Sequence, residues 1–273
     1  MSKPVTFLQH ATRHFRVGLV GLLATATLLP ALAQAQGRPM ERITARIDAG
    51  WRPASRTFVG TTTFSAFSEL GKFEADYEIA QGVVVDGGIS FLLWRNLAVG
   101  LDVSAYSSIN PARLNTELPH PFFFDLPRTT SGVAGGLRRE ELGVHLRALW
   151  VTQFSDWLVV SFSGGPSLIN ARQDLVSAVQ HREVGFPFGD IIFEGHSRTT
   201  QSENAVGANA GIDVDAYVLH RLPFLSGIET MRQVGLGVLI RYVWGSADLQ
   251  VGDSPVDVDL GGLQVTTGIR FRF

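Results

Sequence analysis

The stretch that decides the fold is residues 261–273, GGLQVTTGIRFRF, at the C-terminal end of the chain. Phe273, Phe271, Ile269, Val265 and Leu263 fall on one side of a two-residue period, and Arg272, Arg270, Gly268, Thr266 and Gln264 fall on the other. That is a strand with one apolar face and one polar face. Chain ends fray unless something ties them down. Here the alternation runs into the last residue, which implies that Phe273 is held in place.

Working outward, the same alternation recurs in seven earlier stretches. Residues 43–51 set Ala45, Ile47, Ala49 and Trp51 against Thr44, Arg46, Asp48 and Gly50; residues 83–94 set Val85, Ile89, Phe91 and Leu93 against Asp86, Gly88 and Ser90. Residues 97–106 set Leu97, Val99, Leu101 and Val103 against Gly100, Asp102, Ser104 and Tyr106. A fourth stretch opposes Leu142, Val144, Leu146 and Trp150 to Glu141, His145 and Arg147, and a fifth opposes Leu158, Val160, Phe162 and Leu168 to Ser161, Ser163 and Ser167. The sixth opposes Val206, Ile212 and Val214 to Asn209, Asp213 and Asp215, and the seventh opposes Leu236, Val238, Ile240, Tyr242 and Trp244 to Gly235, Gly237 and Arg241. Eight such strands predict an all-β, eight-stranded antiparallel up-and-down transmembrane β-barrel.

Connection lengths support this. The turns after the second and fourth strands are very short, whereas the connections after the first, third and fifth run to about 20–30 residues, unusual inside a compact soluble domain. One end is therefore expected to face the cell surface with long loops, and the other the periplasm. Residues 220–233 are long for a periplasmic turn, and the seventh-to-eighth connection is the shortest of the surface loops.

The polar faces discriminate between a membrane barrel and a soluble sandwich or lipocalin-like barrel, whose apolar face turns inward and whose outer face is rich in Lys and Glu. Here the polar faces carry Gly, Ser, Thr and Asn with isolated charges of both signs: Arg46, Asp48, Asp86, Asp102, Glu141, Arg147, Asp213, Asp215, Arg241, Arg270 and Arg272, with His145 among them. Near-cancelling charge suits an enclosed lumen, because a buried charge without a partner is very costly. The apolar faces carry no charge, and Trp51, Trp150, Tyr242, Trp244, Phe271 and Phe273 sit near strand ends, where aromatic girdles form.

Composition narrows the remaining classes. With no cysteine there is no disulfide, thiolate metal site or Cys nucleophile, and a formal charge of -2 gives no case for nucleic acid. The first 35 residues read as a secretory signal peptide: Lys3, Arg13 and Arg16 precede an uncharged run at residues 17–29, and small residues at Ala31, Ala33 and Ala35 place cleavage after 33 or 35. The run is shorter than the roughly 20 residues a membrane anchor needs. Removing the signal leaves 20 Lys+Arg (23 less those three) against 25 Asp+Glu, a charge of -5 on a mature region of residues 36–273.

The signal peptide, the eight alternating strands, the short turns opposite long connections and the terminal GIRFRF resemble the small bacterial outer-membrane β-barrel proteins, the OmpA-like transmembrane barrel superfamily, over about residues 40–273. The resemblance implies Sec export to the Gram-negative outer membrane and recognition of Phe271 and Phe273 by the outer-membrane assembly machinery. It implies outer-membrane lipid and lipopolysaccharide as surroundings, and no cofactor.

Three functional classes follow: a structural or surface-interaction barrel with a polar, largely plugged lumen, a narrow OmpW-type channel for small hydrophobic molecules, and a lipid-A-modifying enzyme. A non-enzymatic surface protein is expected. His196, Ser197 and Glu203 have the residue types of a hydrolase but sit in a polar segment where such proximity is common, and no strand carries an HxSNA-like stretch. With the terminal strand ending on Phe273, no peptidoglycan-binding domain is expected after the barrel, and a cell-wall tether is not the expected role. In LPHPFFFDLPR at residues 118–128, His120, Phe122, Phe123 and Phe124 form either an exposed patch for a host or lipid partner or, as is usual in loops of this length, a cluster packed onto the barrel rim.

Overall fold

The computed structural model describes residues 41–53, 55–219, 232–251 and 254–273. The segment read as a signal peptide and most of the long connection at residues 220–233 lie outside the described residues. Ten strands follow in chain order: β1 (Ile43–Arg52), β2 (Arg56–Ala66), β3 (Glu69–Ile79), β4 (Gly82–Trp94), β5 (Leu97–Leu118), β6 (Arg128–Ser155), β7 (Leu158–Glu183), β8 (Ile191–Ala216), β9 (Val234–Val251) and β10 (Ser254–Arg272). Eight of them close a ring, β5-β4-β1-β10-β9-β8-β7-β6, which the β5–β6 pairing completes. Every pairing is antiparallel.

The terminal strand is locked into this ring. Phe273 donates its N–H to the Ile43 carbonyl at 2.8 Å, and Ile43 N–H returns a bond to the Phe273 carbonyl at 3.1 Å. Register then carries Arg46 opposite Arg270 on one side and Gly88 on the other. Glycine is needed at position 88, where a Cβ would overlap the Asp102 carboxylate, and at position 237, where it would collide with Asp215 and the Arg270 guanidinium.

The long connections are not loops. Each continues as paired strand above the membrane band: β5 and β6 stay paired up to Leu118 opposite Arg128, and β7 and β8 up to Glu183 opposite Ile191. The connection between the first two ring strands is the hairpin β2–β3, whose second strand pairs with the upper part of β5 at residues 72–77. Only the two-residue turn Phe67 and Ser68, residues 119–127 and residues 184–190 remain as non-strand apices of these extensions.

The barrel therefore has two storeys of opposite polarity. In the lower storey the outward side chains are apolar and exposed, among them Ile47, Val85, Ile89, Leu101, Leu146, Ile212, Val238 and Ile269, as a lipid-facing band requires. In the upper storey the outward face is mainly polar, with surface pairs such as Lys72–Glu117 at 3.2 Å and Arg182–Glu194 at 2.7 Å among isolated apolar residues such as Leu70 and Val133. Inside it lies an apolar core of Phe58, Phe73, Ala75, Tyr77, Ile79, Leu114, Leu137, Leu175, Leu249 and Val258. The Phe58 and Tyr77 rings stack at 4.6 Å. Tyr77 also accepts the Val176 N–H at 2.9 Å from β7, across the interior, where a bulge has freed that donor from the ladder. Burial pushes the Tyr77 phenol up to about 12, against the opposing pull of the Val176 bond, so it stays neutral.

Candidate functional site

Strand alternation and closure together bring the inward charges of the lower storey into contact. Six arginines (Arg46, Arg52, Arg139, Arg147, Arg241, Arg270) and six acids (Asp48, Asp86, Asp102, Glu141, Asp213, Asp215) are buried there, none more than 6% exposed. Equal numbers matter because an enclosed charge left over from the pairing would carry its full desolvation cost.

The lower knot is continuous. Arg46 reaches Asp48 at 2.8 Å and both Asp86 and Asp102 at 2.7 Å. Arg147 pairs with Asp102 at 2.5 Å, and Arg241 pairs with Asp86 and, at 3.3 Å, with Asp102, while donating to Gln264 at 2.8 Å. Arg270 holds three carboxylates: Asp48 at 2.5 Å, Asp213 at 2.9 Å and Asp215 at 2.7 Å. These pairs cross from β1, β4 and β5 to β6, β8, β9 and β10, so they span the lumen instead of lining one wall.

Above this knot His145 lies between two hydroxyls, Ser104 and Ser167, each at 2.8 Å, and Asn209 donates to Ser167 at 2.9 Å. A second knot closes the top of the storey. Arg52 is bidentate to Glu141 at 3.0 and 2.8 Å, Arg139 adds a bond to Glu141 at 2.9 Å, and the Arg52 guanidinium lies 3.7 Å over the Tyr106 ring. The positive φ of Gly261, 75°, turns its N–H inward to Glu141 at 3.1 Å, a conformation that a residue with a Cβ resists. Below the lower knot a vestibule of about 60 Å³ remains, bounded by Arg46, Arg147, Asp213, Asp215 and Tyr217.

All eleven lumen residues singled out from the sequence, Arg46, Asp48, Asp86, Asp102, Glu141, His145, Arg147, Asp213, Asp215, Arg241 and Arg270, are buried in this assembly. Arg272, read as an inward charge, instead sits at the lower mouth, 4.0 Å over the Tyr217 ring and 3.5 Å from Glu41. Sequence reading missed Arg52 and Arg139. Arg52 follows Trp51 just beyond the alternation used for β1. Arg139 lies two residues before Glu141 on the same face of β6, just ahead of the alternation used for the fourth stretch.

The outer tip departs from expectation in the opposite sense. Phe122, Phe123 and Phe124 do not pack onto the rim but are exposed, at 65%, 58% and 75%. His120 is the buried member of the group, and its Nδ1 accepts the N–H groups of Phe122 at 3.1 Å and Phe123 at 3.2 Å. The imidazole takes the inside of the turn and the phenylalanines are thereby aimed outward. His196, Ser197 and Glu203 lie along β8. His196 and Ser197 point to opposite faces, and Glu203 is six residues on, about 20 Å at roughly 3.3 Å per residue. No triad assembles from them.

No family model matches the chain, and no curated protein matches it. Solved structures that align with it include Neisserial surface protein A, at 14% identity over 86% of this chain and 100% of that one with a TM-score of 0.38. The outer membrane protease OmpT from Escherichia coli aligns at 8% identity over 88% and 100% with a TM-score of 0.43. Ail, the attachment invasion locus protein of Yersinia pestis, aligns at 10% identity over 85% and 100% with a TM-score of 0.33. The strand pairing itself settles the architecture: this is an eight-stranded antiparallel barrel with an apolar outward band, its wall continued far above that band.

Proposed function

We propose that the protein is a closed, non-catalytic outer-membrane barrel, a structural or surface-interaction protein whose working part is the rigid extension it holds above the cell surface to make contact there. The observation that carries this reading is the complete pairing of twelve buried charges across the lower lumen, continued upward by a packed apolar core. In an interior of low dielectric each guanidinium is held against at least one carboxylate, and separating any pair leaves both partners unsolvated. Such knots act as a plug. In this reading the surroundings are outer-membrane lipid and lipopolysaccharide, and Phe271 and Phe273 at the lower rim are read by the assembly machinery during insertion.

Purified protein in planar lipid bilayers should show no stable open state. Arg241→Ala combined with Arg270→Ala should raise conductance, whereas Arg128→Ala, at the outer tip, should leave the barrel closed. Reproducible large single-channel steps from the unaltered protein would overturn the reading. A second reading, passage of small hydrophobic molecules, draws support from the apolar upper interior and from β2, which pairs with β3 but not with β10 beside it. It requires displacement of Phe58 and Phe73, which fill that interior. Entry of an apolar fluorescent tracer into proteoliposomes, faster than into protein-free vesicles, would favour it.

A further inference from the structure

Three apices meet at the outer end of the extension: the β2–β3 turn, the β5–β6 loop and the β7–β8 loop. They form one body. The Arg128 guanidinium, buried beneath them, donates to the Pro119 carbonyl at 2.8 Å and the Phe188 carbonyl at 3.1 Å, pairs with Glu183 at 3.0 Å, and lies 5.9 Å from the Phe67 ring. Asp125 N–H donates to Glu69 at 3.0 Å, and the Phe122 and Phe188 rings meet at 5.6 Å. From this body Phe67, Phe122, Phe123, Phe124, Leu126 and Phe186 project into solvent, between 45% exposed (Phe67) and 86% exposed (Phe186). At about 200 Å² per aromatic side chain the five phenylalanines alone present roughly 600 Å², at the upper end of what a monomer exposes without a partner.

From this tip we infer that the protein docks its outer end into the surface of a second, zwitterionic phospholipid bilayer, an inference that rests on the contact role proposed above. Its own membrane is out of reach: from Tyr106 to Leu118 is about twelve residues of tilted strand, on the order of 30 Å above the apolar band. The chemistry of the tip favours acyl chains over a protein surface. Protein interfaces carry about one hydrogen bond per 100–200 Å² and favour Tyr, Trp and Arg at their centres, whereas the projecting residues here are Phe and Leu. Five backbone donors of the two longer apices are already engaged. Phe122 and Phe123 bond His120, Asp125 bonds Glu69, Phe188 bonds the Gly185 carbonyl at 3.1 Å, and Val184 bonds the Asp190 carbonyl at 3.1 Å. Each N–H satisfied internally in this way lowers the cost of bringing the apex toward hydrocarbon.

Two further features agree. Phe67 has φ 52° in a position where a two-residue hairpin turn ordinarily takes Asn or Gly, a strain of about 1–2 kcal/mol accepted to hold that ring outward. The charges around the tip, Glu69, Asp125, Glu183 and Asp190 against the buried Arg128 and exposed Arg182, are mainly acidic. Acidic groups repel an anionic lipid surface but not a zwitterionic one.

The test is co-flotation of the protein, embedded in nanodiscs, with phosphatidylcholine vesicles, using empty nanodiscs as the control. The unaltered protein should float with these vesicles, and 30% phosphatidylserine should weaken binding several-fold. Phe122→Ser, Phe123→Ser and Phe124→Ser together should reduce flotation at least tenfold with heat-modifiable migration unchanged, and Phe186→Ser alone should reduce it by a smaller factor. Asp125→Asn with Asp190→Asn should restore binding to the phosphatidylserine vesicles. Equal flotation of the triple variant, or none by the unaltered protein, overturns the inference, as does pairing of protein-loaded nanodiscs without vesicles, which would make a second copy the occupant. Bilayer conductance of the same preparation separates the outcomes: a closed barrel that fails to float leaves the contact role standing and removes only the lipid target.

Discussion

The two storeys of this barrel share the six strands β5 to β10 and solve opposite problems. On β6, Leu142, Leu146 and Trp150 face outward and Glu141, His145 and Arg147 face inward, whereas higher on the same strand Arg138 faces outward and Leu137 inward. The solvent outside the wall decides the sign. Where lipid surrounds the barrel the polar face has no place but the lumen, and its charges must pair there; where water surrounds it the apolar face turns in and packs as in a soluble protein. The lower storey is consequently held by charge-assisted hydrogen bonds in fixed geometry, and the upper one by burial of apolar area.

That contrast can be tested by breaking one storey at a time. The largest expected effect is on the charged one. Arg270→Ala removes the partner of Asp213 and Asp215 and one of the two partners of Asp48, and stranding buried charge in this way costs about 3–5 kcal/mol. The midpoint of urea unfolding in lipid vesicles, followed by heat-modifiable migration, should fall accordingly. An unchanged midpoint would show that water enters the lumen and screens the carboxylates.

In the upper storey Leu114→Ala opens a cavity in the apolar core, at about 3 kcal/mol for a buried leucine. If the storeys unfold independently, this variant gains protease cleavage within the extensions while the migration midpoint of the lower barrel stays put. A shift of that midpoint as large as that of Arg270→Ala would make the barrel one cooperative unit. The smallest change in stability, under about 1 kcal/mol, is expected for Phe273→Ser, because the ring is largely exposed and its backbone bonds to Ile43 survive the substitution. Its effect should appear instead in the amount of protein reaching the outer membrane, reduced well below that of Phe123→Ser. Equal amounts of the two variants would remove any special role for the terminal aromatic residue.

Much of the lower storey was legible because its period-two pattern is uninterrupted. All eight ring strands, their faces and most of the inward charges could be read from alternation alone. The upper storey was not, for two physical reasons. Its polarity is inverted, so that Lys72, Glu74, Asp76 and Glu78 against Phe73, Ala75 and Tyr77 look like a soluble hairpin with no place in a membrane wall. Its strands also carry bulges, at Asn110/Ala112, Val176/Ala178 and Gln180/His181, each of which shifts the phase of the alternation and hides the strand's continuation.

The sequence by itself determined which faces meet lipid, because a face without charge and a face with several charges can be told apart residue by residue. It also determined that inward charges of both signs are present in nearly equal number. Only the tertiary structure decided which charges meet, since Arg270 reaches Asp48 across 222 positions of sequence and Arg241 reaches Asp86 across 155. Closure of the ring alone sets such distances. The tip likewise depends on folding: Phe67, Phe122 and Phe186 are far apart in the chain, and one buried guanidinium with three loop ends around it makes them a single surface.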